Sequence, residues 1–185
     1  MSHRVCPWWL GYFLIGPVRG WTQGDPARLL SPYVREGMTV LEPGPGMGFF
    51  TIPLARLVGA SGRVVAVELQ PKMIASLKRR AAKAGVLDRI DARISSADTM
   101  ALDDLAGKVD FTLAFAMVHE VPDARRFFAE VALASKPGAS LLLAEPRGHV
   151  NETKFEAELA AAAAQFEVAA PPAIRRSRVA LLKKK

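Results

Sequence analysis

Apolar positions along the chain switch between two spacings, and the switching lays out an order of strands and helices. Thr39 to Leu41 is a short apolar run that reads as a strand ending at Glu42. Phe50, Leu54, Leu57 and Val58 then recur at helical spacing. The valine-rich run from Arg63 to Leu69 predicts a second strand. Pro71 stands where a helix can begin, because the N–H it lacks is one the first turn leaves unused. Met73, Ile74, Leu77 and Ala81 form the dry face of that helix, Lys72, Lys78, Arg79 and Lys83 its wet face, and Gly85 ends it.

The same alternation continues downstream. Ile90 to Ile94 and Val109 to Met117 predict a third and a fourth strand. Asp123 opens a helix with Phe127, Phe128 and Val131 facing inward, and Lys136, Pro137 and Gly138 stop it. Ser140 to Ala144 is a fifth strand that ends at Glu145 and Pro146. Asn151 to Gln165, with its alanine run, is a helix. Phe166 to Ala169 and Arg178 to Leu182 are two closing strands, separated by Pro171 and Pro172.

Strands alternating with helices give a mostly parallel sheet covered on both faces. Right-handed crossovers then restrict the topology to a doubly wound α/β fold. The last two strands have no helix between them and are expected to pair antiparallel. The 185 residues suit a single domain. Residues 1–37 precede the first strand and carry Trp8, Trp9, Tyr12, Phe13 and Trp21. Such aromatics suit a cap over a pocket, ordinary packing on the sheet edge, or a homodimer contact, and the pattern leaves all three open.

Half of the residues are apolar and 23% are charged, a globular composition. Cys6 is the only cysteine, which excludes an internal disulfide framework and suits a reducing compartment. No apolar run reaches the ~20 residues needed to span a bilayer, and the stretch from Val5 to Val18 is broken by Pro7, Gly11, Gly16 and Pro17. A cytoplasmic location is therefore expected. The net charge is +7, and Arg175, Arg176, Arg178, Lys183, Lys184 and Lys185 supply six positive charges in the last eleven residues. Such an end can contact anionic partners, but its ordinary role is that of a solvated tail, and no nucleic-acid partner is expected from it.

The candidate chemistry begins after the first strand, in Glu42-Pro43-Gly44-Pro45-Gly46-Met47-Gly48. In open parallel sheets ligands bind beyond the carboxyl ends of the strands. Glycines there let a ligand approach the backbone. Glu68 follows Gly48 by twenty residues, at the end of the second strand, where a carboxylate can accept hydrogen bonds from both ribose hydroxyls. A loop of this kind with a distant acid suits an adenosine-containing ligand. The nicotinamide fingerprint is G-x-G-x-x-G, but here Phe49 stands where the third glycine would be. Glu42 would also repel a pyrophosphate, whereas it suits an ammonium group and a sulfonium. The sign of the charge favours S-adenosylmethionine over a dinucleotide.

These segments together resemble the class I, Rossmann-like S-adenosylmethionine-dependent methyltransferases, in particular their small type-11-like members. The resemblance is carried by VLEPGPGMGFFT at 40–51, VVAVELQPKMI at 64–74, SSADTMALD at 95–103, FTLAFAMVHEVPD at 111–123 and SKPGASLLLAEP at 135–146, and it covers about residues 37–182. It implies a seven-stranded sheet in the order 3-2-1-4-5-7-6 with the seventh strand antiparallel. It also implies that Glu42, Gly44, Gly46 and Gly48 line the methionine end of the cofactor and that Glu68 binds the ribose, with Leu69 and Met73 near the adenosine. Asp98 would hydrogen-bond the adenine amine beside Ala97 and Thr99, and Phe115 and Ala116 would line the pocket near the sulfonium. The product would be S-adenosylhomocysteine. Pro43 and Pro45 depart from the family pattern and remove two backbone donors from the loop.

Methyl transfer from a sulfonium is a direct displacement, so alignment and desolvation dominate, and a base is needed only when the acceptor must lose a proton. His119 and Glu120 follow the fourth strand, and Glu145, Arg147 and His149 follow the fifth. His119 is the leading candidate for a base or acceptor-orienting residue, with Glu120 and His149 beside it. No metal is expected, because the order of these residues matches no recognised metal spacing. The acceptor is expected to be a small molecule, its methylated atom unspecified. A nicotinamide-dependent oxidoreductase shares the fold but not the glycine pattern. The basic end permits an RNA methyltransferase, yet no Asn-Pro-Pro-Tyr-like motif follows the fourth strand. A cofactor-binding protein without turnover is the remaining alternative.

Overall fold

Runs of valine, leucine and alanine, buried on both faces, build the centre of the sheet. The computed structural model describes residues 25–96, 98–170 and 173–185. The described residues up to 96 form one compact unit and those from 98 onward a second. The seven strands seen among them follow the order β3-β2-β1-β4-β5-β7-β6, as the resemblance implied.

In the first unit, β1 (Thr39–Pro43), β2 (Arg63–Glu68) and β3 (Ile90–Ile94) pair in parallel, with Leu41 opposite Val65 and Val65 opposite Asp91. Val64 to Glu68 are all buried, as a strand covered on both faces must be. Helix α1 (Pro26–Leu30) starts at Asp25, whose carboxylate accepts from the Ala27 amide. Helix α2 (Thr51–Leu57) follows the glycine loop, and α3 (Pro71–Lys83) begins on Pro71. Met73, Ile74, Leu77 and Ala81 face inward as the periodicity predicts, and Gly85 ends the helix at φ +69°.

In the second unit, β4 (Val109–Phe115) pairs in parallel with β5 (Ser135–Pro146). The closing strands β6 (Phe166–Ala169) and β7 (Ser177–Lys184) pair antiparallel with each other, and β7 runs antiparallel to β5. Helix α4 (Ala124–Ala134) is capped by Asp123 and α5 (Glu152–Ala162) by Asn151, each side chain accepting an amide of the first turn.

Two details differ from the sequence reading. The helix stops at Ala134, and Ser135 both donates its hydroxyl to the Val131 carbonyl at 2.7 Å and starts β5. Lys136, Pro137 and Gly138 therefore lie inside the strand. They form a bulge between the pairs Val109–Ser135 and Phe111–Ser140, and Gly138 supplies a φ of +71°. Three of the six basic residues at the end are held rather than simply solvated. Lys184 lies in β7 and donates to the Ser135 carbonyl at 2.8 Å, Lys185 donates to Ala163 at 2.6 Å, and Arg178 pairs with Glu152. Tertiary acceptors, invisible in a charge count, hold these cations. The aromatic residues Trp8, Trp9, Tyr12, Phe13 and Trp21, with Cys6, Ala97, Pro171 and Pro172, lie outside the described residues. Among the described residues no helix is long and apolar enough to cross a membrane.

Candidate active site

The glycine loop leaves β1 at Pro43 and is folded by its own glycines. Gly44, Gly46 and Gly48 have φ of +65°, +56° and +87°, the region glycine enters without strain. The Gly44 amide donates to Val67 at 2.9 Å and the Gly48 amide to Pro45 at 3.0 Å. At Gly48 a Cβ would lie 3.2 Å from the Leu77 side chain, so the residue also allows α3 to approach the loop. Met47 is buried, and its carbonyl accepts from the Arg80 guanidinium at 2.5 Å.

Glu68 is tied to the same loop. Its Oε2 accepts from the Gly46 amide at 3.1 Å and its Oε1 from the Gln70 amide at 3.1 Å. Two amides hold this carboxylate in a fixed direction. The end of β2 thus fixes the middle of the glycine loop. Glu42 is 3% exposed and stands immediately before the loop, so the site opens on a buried acid. This pair of carboxylates suits a cationic ligand with a ribose diol and opposes a pyrophosphate. Met73 is buried next to Gly46, its sulfur 3.6 Å from where a Cβ would sit, and Leu69 is exposed at the strand end.

The other candidate residues belong to the second unit. Asp98 and Thr99 are exposed. The Thr99 hydroxyl accepts the Ala101 amide at 3.0 Å, and the next amide, that of Met100, donates to Glu130 at 2.8 Å. Phe115 ends β4 buried, and Ala116 turns the chain at φ +57° while its amide donates to Ala144 at 2.7 Å. Left-handed backbone is costly for alanine, and strain of this kind collects where a side chain must be aimed.

His119 follows in the short 3-10 turn Val118–Glu120. Its Nδ1 is hydrogen-bonded to Glu145 Oε2, and Glu145, at the end of β5, is wholly buried. Glu145 Oε1 accepts the amides of Met117 at 3.2 Å and Val118 at 2.8 Å. The hydrogen bond to Glu145 raises the pKa of His119 above the ordinary imidazole value, with burial acting against it. On the other side of the ring, Nε2 lies 3.9 Å from Glu120 Oε1. The His149 ring stacks edge to face on His119 at 5.6 Å between centroids. The structure therefore brings together His119, Glu120, Glu145 and His149. Arg147 does not join them, because its guanidinium donates to the Ser177 carbonyl on β7.

Two further residues escaped the sequence reading. Glu158 sits on the buried stripe of α5 with Phe155 and Ala162, and it interacts electrostatically with Glu145 and His119. The available signal was an acid three residues after Phe155 on an alanine-rich helix. Arg80, the anchor of Met47, lies between the predicted wet and dry faces of α3, and nothing in the local pattern marks it.

The family described as "Methyltransferase domain" matches residues 40–138. A ubiquinone biosynthesis O-methyltransferase of Methylocella silvestris is 31% identical over 122 residues, covering 66% of this chain and 45% of that protein. A ubiquinone/menaquinone biosynthesis C-methyltransferase of Hydrogenovibrio crunogenus is 27% identical over 60% of this chain and 43% of its own length. The chain thus spans less than half the length of either relative. A SAM-dependent methyltransferase crystal structure from Aquifex aeolicus superposes with a TM-score of 0.84 at 23% identity, covering 97% of this chain and 98% of that one.

Proposed function

The chain belongs to the methyltransferase-domain family, the class I S-adenosylmethionine-dependent methyltransferases, and on that premise we propose that it methylates a small-molecule acceptor whose reacting atom carries a removable proton. Within that family, the observation that carries the acceptor chemistry is the imidazole of His119 held through Nδ1 by the buried Glu145. When bound, S-adenosylmethionine supplies an electrophilic methyl group on a sulfonium and leaves as S-adenosylhomocysteine. Glu42, Gly44, Gly46 and Gly48 would hold its methionine end, Glu68 its ribose, Leu69 and Met73 its adenosine, and Asp98 with Ala97 and Thr99 its adenine. Phe115 and Ala116 would face the sulfonium.

Glu145 keeps the proton of the neutral imidazole on Nδ1, which leaves Nε2 as the basic nitrogen. His119 takes the acceptor's proton at that atom, and Glu145 compensates the charge that forms. Glu120 and His149 border the ring and would orient the acceptor. The names of the two relatives, both tied to ubiquinone biosynthesis, support a small-molecule acceptor. The single cysteine supports a cytoplasmic location.

The test is calorimetry with S-adenosylhomocysteine, with NADH as parallel ligand and Glu68→Ala as control. Micromolar binding of the first, none of the second, and loss in the variant are the expected results. Binding of NADH instead would replace the reading with an oxidoreductase. An acceptor screen follows, with His119→Ala losing turnover while keeping cofactor affinity. An RNA complex that weakens with salt, together with RNA methylation, would overturn the small-molecule assignment.

A further inference from the structure

Glu158 is the part of the His119 cluster that the proposed reaction does not use. It is 8% exposed, and its Oε2 is enclosed without a hydrogen-bond partner among the described residues. An ionised carboxylate in that position loses hydration at Oε2 with no hydrogen bond to replace it, whereas the neutral acid loses far less. Glu145 on β5 and His119 in the turn after β4 act on it, together with Lys154 one turn earlier on its own helix. Glu120 and His149 also face the same imidazole. Glu145 already places a buried negative charge in this group, so a second one is disfavoured twice, by burial and by repulsion.

We infer that Glu158 is a positioning residue that shares one proton with His119 near neutral pH, carrying it while the imidazole stands free and releasing it to solvent once His119 has gained the acceptor's proton. The balance closes. Before the transfer both His119 and Glu158 are neutral. Afterwards His119 is an imidazolium, Glu158 is a carboxylate, and one proton has left for solvent. The cluster therefore keeps its net charge, and the carboxylate formed at Glu158 favours the imidazolium formed at His119. Burial, with Glu145 adding to it, raises the Glu158 carboxyl from 4.5 to about 7, the range in which such an exchange operates.

This role extends the reading of His119 as a base, but its test needs neither cofactor nor acceptor. The full chain is titrated by NMR, following the side-chain carboxyl carbon of Glu158 and the ring of His119, with His119→Gln assigning the ring among the three histidines. The expected carboxyl midpoint lies near 7. His119 shows an inflection at the same pH, and in Glu158→Gln that inflection is lost and the ring midpoint falls by about half a pH unit or more. A carboxyl midpoint in the ordinary glutamate range, or a His119 titration unchanged in the variant, overturns the inference. The wild-type carboxyl midpoint decides alone if Glu158→Gln does not fold. Failure to bind S-adenosylhomocysteine would overturn the methyl-transfer reading and leave these titrations standing.

Discussion

Glu145 and His119 are joined across the ends of two adjacent parallel strands. Oε2 of the wholly buried carboxylate meets Nδ1 of the imidazole, while the Val118 amide, next to His119, donates to Oε1 at 2.8 Å. The carboxylate thus holds both the ring and the backbone that carries it. Glu145→Gln keeps one oxygen for the amides and turns an NH2 group toward the ring. Nδ1 must then accept, the ring proton moves to Nε2, and the basic nitrogen is lost. We expect turnover to fall by about 10²–10⁴-fold, with S-adenosylhomocysteine affinity unchanged in calorimetry. Equal losses in turnover and affinity would assign Glu145 to structure alone.

The cluster also sets how stability depends on pH. His119 has a folded pKa raised above 6.5 by its hydrogen bond to Glu145. Its stabilising contribution is fully present below 6.5 and is lost as pH rises through the folded value. Glu158, raised by burial from 4.5 to about 7, has the same sign and acts over that lower window. Stability should therefore decline between pH 5 and 8. Glu158→Gln should recover on the order of 2 kcal/mol at pH 8 and little at pH 5, measured by urea unfolding at both values. A variant no more stable than the wild type at pH 8 would show that the carboxylate is tolerated where it lies.

Gly48 joins a conformational requirement to a packing one. Its φ is +87°, and a Cβ would approach the Leu77 side chain to 3.2 Å. Gly48→Ala should cost about 1–3 kcal/mol and, by shifting the loop against α3, weaken S-adenosylhomocysteine binding. Gly85→Ala is the control, since it has a φ of +69° but no atom within 4 Å of its Cβ. It should lose stability in thermal melts without losing affinity.

The frame of the fold was legible because it rests on local pattern. The valine run of β2, the 3–4 spacing of Met73, Ile74, Leu77 and Ala81, and the caps at Asp123 and Asn151 each act within one turn or one strand. The glycine loop with Glu68, and the pairing of His119 with the strand-five region, were legible as motifs. The features that escaped are long-range. The bulge at Lys136 to Gly138 is set by the pairing of Val109 with Ser135. Lys184 finds its acceptor 49 residues away and Arg80 finds Met47 at a separation of 33. Glu158 was hidden because an acid on a helix reads as wet, and only packing within the second unit makes it dry.

Arg80 gives the last test, because it separates anchoring of the loop from direct ligand contact. Its Nη1 donates to the Met47 carbonyl at 2.5 Å from α3, one of four hydrogen bonds that hold the same short loop. In the others the amides of Gly44, Gly46 and Gly48 donate to the Val67 carbonyl, the Glu68 carboxylate and the Pro45 carbonyl. Removing the guanidinium leaves a carbonyl short of a donor and frees the loop between Gly46 and Gly48. Arg80→Met, which keeps the aliphatic stem, should cost about 1 kcal/mol of stability. It should weaken S-adenosylhomocysteine binding by roughly three- to tenfold, chiefly through faster dissociation, because ordering a loosened loop becomes part of binding. Arg80→Lys, with a donor on a shorter stem, should fall between the two. If Arg80→Met binds as tightly as the wild type, the hydrogen bond from the Gly46 amide to Glu68 and the backbone bonds of Gly44 and Gly48 hold the loop without Arg80, and Glu68→Gln becomes the variant in which both the loop order and the affinity must fail.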